Sequence, residues 1–100
     1  MRVALPGHLR TLGRVHADGG EVVVPVTPPV TLDGVLDALE GAWPSLAGTI
    51  RDRVTGRRRP MVRVYVGEED RSHEPTDAPL PDTVVRGELP VRVVGAMAGG

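Results

Sequence analysis

Thr31 to Trp43 is the clearest helix in the chain, and its pattern limits what the rest can be. Leu32, Val35, Leu36, Leu39 and Trp43 recur at i, i+3, i+4, i+7 spacing and make one apolar stripe. Asp33, Asp37 and Glu40 lie on the other face, and acids near the start suit the helix dipole. Thr31 is a good N-cap. Gly41 weakens the last turn and Pro44 stops it, after which Ser45 is placed to cap a short second helix through Leu46 and Ile50. One striped helix cannot close a core alone. It asks for a sheet to lie on.

The flanking segments supply strands. Val3 and Leu5 alternate with Arg2 and Ala4, and Pro6-Gly7 ends the run. His8 to Val15 has the pattern of a single helical turn, limited by Gly13. Asp18-Gly19-Gly20 reads as a turn, and Glu21 to Val26 as a second strand. Pro25 removes a ladder donor, which puts this strand at a sheet edge. The first two strands are therefore expected to form a long hairpin. Asp52 to Pro60 is a polar loop. Met61 to Val66 is a third strand, with Val62, Val64 and Val66 inward and Met61, Arg63 and Tyr65 outward. Gly67 to Asp70 is a turn. Arg71 to Pro90 is rich in Pro and acids and is expected to be irregular, with one short strand near Arg71-Ser72-His73. Val91 to Val94 is the last strand. The result is one two-layer α+β domain with a mixed sheet and one main helix.

Composition narrows the chemistry. The formal charge is −1, so no general attraction to nucleic acid or to an anionic membrane is implied. No apolar run reaches the roughly 20 residues that span a bilayer, and the start lacks a signal-peptide pattern. A cytoplasmic protein is the expectation. There is no Cys, hence no disulfide, thiolate metal site or Cys nucleophile. Trp43 and Tyr65 are the only aromatics, so the core is expected to be Val, Leu and Ala. All twelve basic residues are Arg.

Few residues compete for a function. His8, His16 and His73 lack metal-ligand spacing, so no metal site is expected. Glu68-Glu69-Asp70 reads as a turn rather than an acid–base pair. Arg57-Arg58-Arg59 reads as a solvated loop first and a docking element second; without interleaved aromatics it is a poor nucleic-acid site. Met61, Arg63 and Tyr65, with Arg92 and Val94 on the neighbouring strand, line the sheet face opposite the helix. That composition suits partner docking, with an ordinary half-exposed sheet as the alternative. Ala96-Met97-Ala98-Gly99-Gly100 ends the chain in the slimmest backbone a polypeptide can have. Extended, these residues reach roughly 17 Å. They read either as a working tail or as a frayed end or linker stub.

Taken in order, these segments resemble the ubiquitin-like sulfur carriers, which include the small subunit of molybdopterin synthase and the thiamine sulfur carrier. The resemblance rests on Val3-Ala4-Leu5-Pro6 with Leu9-Arg10, on Thr31-Leu32 with Val35 to Glu40 and Trp43-Pro44, on Val62 to Asp70, and on Ala96 to Gly100. The length and the Ala-x-Ala-Gly-Gly ending most resemble the branch that supplies sulfur to a cysteine synthase. Departures are Met61 where Phe is common, Arg63 where Asn is common, Gly95 where Pro is usual, and Asp82 to Leu89 in place of an Asp-Gly-Asp turn. The resemblance implies a β-grasp domain over residues 1–95 and a tail over 96–100. It implies a non-enzyme whose Gly100 carboxylate is adenylated and converted to a thiocarboxylate, with Gly99 and Ala98 giving access. ATP is used by an E1-like activating enzyme, and the chain itself binds no cofactor. Further implied partners are a cysteine synthase-like or other sulfur acceptor and a JAMM-type metallopeptidase. Alternatives are a molybdopterin synthase small subunit or a non-carrier β-grasp interaction module. With no Cys to hold a persulfide and no Lys to be acylated by its own terminus, the composition fits the carrier chemistry, though codon bias explains both absences as well.

Overall fold

The computed structural model describes residues 1–16 and 19–95. Five strands form one mixed sheet in the order β2-β1-β5-β3-β4: β1 Arg2–Ala4, β2 Glu21–Val23, β3 Val62–Val66, β4 Glu69–Asp70 and β5 Val91–Gly95. β1 pairs antiparallel with β2 and parallel with β5, and β5 and β4 flank β3 antiparallel. The helices are α1 Gly7–Gly13, α2 Leu32–Ala42 and α3 Asp82–Val85.

α2 forms as its pattern dictates. Thr31 Oγ1 accepts from the Gly34 N–H at 3.1 Å, and Leu32, Val35, Leu36 and Leu39 are buried. These side chains join Val3, Val22, Val62, Val64, Val66, Val91 and Val93 of the strands in a single core, against which Trp43 is partly buried. Arg51 gathers the acids of the outer stripe: Nε reaches Glu40 at 3.0 Å, Nη1 reaches Asp33 at 3.4 Å, and Nη2 reaches Asp37. Among the described residues the core is Val and Leu with Ile50, and alanine contributes only the partly buried Ala38.

Four local expectations change. β1 and β2 do pair, but a seven-residue helix, α1, stands between them in place of a single turn. Gly13 ends it because Arg14 follows in the left-handed region at φ 55°. β2 lies at the sheet edge and stops at Val23; Val24 N still reaches Met1 O at 2.9 Å, and Pro25 then has no N–H to continue. Ser45 caps nothing. It lies inside a 3-10 turn, Pro44–Leu46, that buries Leu46. The Pro- and acid-rich segment before the last strand is not wholly irregular: it holds α3, which buries Val84.

The fourth strand lies at Glu69–Asp70, just before the expected place near Arg71-Ser72-His73. Its ladder to β3 is continued by Arg71 N, which donates to Val64 O at 2.8 Å. Ser72 Oγ, in a buried residue, accepts from Val64 N at 2.8 Å. The hydroxyl thus replaces a strand carbonyl. Removing it strands a buried N–H, which costs about 1–3 kcal/mol. Ser72→Ala is expected to lower unfolding stability by that amount in urea titrations, with the slope of the transition unchanged.

Candidate docking face and the tail

The sheet face opposite α2 carries the residues singled out for docking. β3 turns Met61, Arg63 and Tyr65 outward as Val62, Val64 and Val66 turn in. The β3–β5 register sets Arg63 opposite Val94 and Tyr65 opposite Arg92. All five side chains therefore share one patch. Met61 is 53% exposed and Val94 41%, so the patch has apolar content open to solvent.

Its charges are arranged by neighbours. The Arg92 guanidinium carbon lies 5.1 Å from the Tyr65 ring centroid, a cation–π distance that holds the ring and the cation together. Arg63 Nη1 pairs with Asp70 Oδ2 at 3.2 Å across the β3–β4 pair. On the other flank Arg2 grips Glu21 at 2.9 Å and 3.1 Å. Val23, 75% exposed on β2, adds an apolar residue that the sequence pattern did not single out. Its place next to the buried Val22 in an alternating run was the available signal.

The polar loop departs from expectation. Arg57 is exposed, but Arg58 is half-buried and ties the loop down. Its Nε donates to Ser72 O at 2.9 Å, and Nη1 donates to Arg59 O at 3.0 Å and to Val62 O. Arg59 Nε donates to Gly48 O. The triplet is thus a structural clamp with one free member. Ala98, Gly99 and Gly100 lie outside the described residues. β5 ends at Gly95, before the tail. Among the described residues no group of three or more His, Asp or Glu side chains is placed to hold a metal, and no helix is long and apolar enough to cross a membrane.

No protein-family model matches the sequence, and no curated protein matches it significantly. Solved structures do match. SAMP1 from Haloferax volcanii superposes with a TM-score of 0.73 at 19% identity, over 99% of this chain and 97% of that one. The Amycolatopsis orientalis BexX/CysO complex gives 0.73 at 20% identity, over 99% and 98%. Mycobacterium tuberculosis CysO gives 0.70 at 21% identity, over 96% and 98%. The fold is the ubiquitin-like β-grasp. The β-grasp sheet accounts for the geometry of the patch, since β3 and β5 are neighbours near its centre.

Asp70 gives the face a measurable signature. The Ser72 hydroxyl first, then the Ser72 N–H at 2.8 Å and the Arg63 guanidinium, hold its carboxyl below the usual aspartate value. A depressed folded value means that the unfolded chain binds the proton more readily, so stability rises with pH through that window. The contribution is complete above the unfolded value and is lost as pH falls through the folded one. Asp70→Asn is expected to lower the neutral plateau of the thermal midpoint measured against pH and to leave its acid end nearly unchanged, so that the limb between them flattens.

Proposed function

We propose that the protein is a cytoplasmic sulfur carrier loaded at the carboxyl group of Gly100. The observation that carries this reading is the placement of β5. It is paired on both sides, with β1 and β3, and its last residue, Gly95, precedes Ala96 to Gly100 in the chain. A strand so held is a firm base for a slim tail. The fold shared with SAMP1 and the CysO proteins, ubiquitin-like sulfur carriers, supports it. The BexX/CysO complex supports a carrier that docks on a partner protein.

A chain-terminal carboxylate is ionised at neutral pH and is a poor electrophile. In this reading an E1-like adenylyltransferase joins it to AMP from ATP and releases pyrophosphate. Hydrosulfide then attacks the acyl carbon. The bond to the AMP oxygen breaks, AMP leaves with the electron pair, and a thiocarboxylate remains on Gly100. A cysteine synthase-like enzyme is the acceptor, with a JAMM-type metallopeptidase to free the product. The Met61, Arg63, Tyr65, Arg92 and Val94 patch docks the activating enzyme while Ala98 and Gly99 thread its channel.

Incubation with a cognate activating enzyme, ATP and sulfide is expected to raise the intact mass by the difference between sulfur and oxygen. Deleting Gly100 is expected to abolish the gain. Tyr65→Ala and Arg92→Ala are each expected to weaken loading by about 1–2 kcal/mol in apparent affinity, as for residues central to an interface. A second reading, a β-grasp interaction module, is favoured by the patch being complete without the tail. It predicts that partner capture survives loss of Gly99-Gly100 and that no mass gain occurs. A stoichiometric partner that co-purifies would point instead to a role like that of the molybdopterin synthase small subunit.

A further inference from the structure

The parallel pairing of β1 with β5 sets Ala4 beside Arg92, so both strands end on the same edge of the sheet. Beyond Ala4 the chain turns at Pro6, at φ −68° and ψ 156°, and enters α1, whose second residue is His8. Beyond Arg92 the chain reaches Gly95. The two meet there. A Cβ on Gly95 would lie 2.7 Å from His8 Cε1 and 2.8 Å from Nε2, so no residue but glycine fits beside the ring as it stands. The imidazole occupies the side of Gly95 on which any other L-residue carries its side chain. The backbone that carries the ring is anchored: Leu9 is buried, and the Leu9 and Arg10 N–H groups each donate to Pro6 O at 3.1 Å.

We propose that His8 is a positioning residue for the C-terminal tail. Its ring bars one side of Gly95 and so sets the direction in which the chain leaves the sheet. The proposal rests on the carrier reading for its purpose, since a terminus that must enter a partner's channel gains from a fixed root. The imidazole takes no part in bond making. The contact involves the far end of a side chain, so a Gly95 substitution is expected to displace the ring without unfolding the domain.

The test combines a measurement on the free protein with one on loading. In proton NMR the imidazole is expected to shift and separate the two Gly95 α-protons, and His8→Ala is expected to collapse that separation. Gly95→Ala is expected to move the thermal midpoint by no more than about 3 °C yet slow loading about tenfold, as misplacement of a reacting group does. His8→Ala alone is expected to slow loading to a similar extent, because the ring that bars one side of Gly95 is then absent. Equal Gly95 α-proton shifts in wild type and His8→Ala would overturn the proposal. So would a His8→Ala variant that loads at the wild-type rate. If the wild type is never loaded, the carrier reading fails, and the NMR comparison still decides whether the His8 ring keeps its place against Gly95.

Discussion

The parallel pairing of β1 and β5 is the constraint on which the remaining structure depends. It joins segments from opposite ends of the chain, with Val3 opposite Val91 and both fully buried. Without it the sheet would separate into a β2–β1 pair and a β5–β3–β4 sheet, and the stripe of α2 would have no continuous surface to cover. Closing a loop that long costs entropy, but the cost grows only slowly with length, and burying two valines offsets part of it. Arg2 reinforces the closure from the polar side. Besides Glu21 on β2 it donates to Gly87 O at 3.1 Å and Glu88 O at 3.2 Å, in the segment that leads into β5.

What the amino-acid pattern revealed follows from the range of each interaction. α2 was legible because its stripe is four apolar positions long and capped by Thr31, all within the helix itself. β3 was legible because five residues alternate strictly. α3 was not, because four residues with one buried valine are too short to show a period. β4 is two residues long, and its pairing is continued by the Arg71 N–H and the Ser72 hydroxyl, the latter an acceptor no propensity scale registers. The arginine triplet shows the same limit. Arg57, Arg58 and Arg59 are chemically alike in the sequence, and only the positions of Ser72 O, Val62 O and Gly48 O separate their fates. Which side chains share the outward face was legible from alternation alone on each strand, while the register that aligns Tyr65 with Arg92 came from pairing distant segments.

That register also decides what kind of surface the patch is. Arg63 is matched by Asp70 and Arg2 by Glu21, so the flanking cations are neutralised at the rims. Arg92 is instead laid over Tyr65 of β3, with β1 on its other side and the exposed Val94 two residues further along its own strand. An aromatic and an arginine at the centre with matched charges outside is the composition of an interface core within a polar rim. The Arg63–Asp70 pair is exposed and contributes little to stability, whereas Arg2 and Glu21 are half-buried. The consequence of the two pairs is to leave Arg92 as the cation presented at the centre.

Two glycines with nearly equal close approaches separate folding from positioning. A Cβ on Gly13 would lie 2.8 Å from Leu46 Cδ2, and Leu46 is fully buried. That side chain has nowhere to go, so the close approach of α1 to the Pro44–Leu46 turn is a demand of core packing. A Cβ on Gly95 would meet His8 at 2.7 Å, but His8 is only half-buried. The same overlap there can be relieved by rotating one side chain. Core packing therefore gives no reason for glycine at position 95, whereas the positioning role proposed for His8 does. A proline at this point would fix the backbone from within through its own ring; here the ring that lies against the backbone belongs to α1 and is free to rotate about its own side-chain bonds.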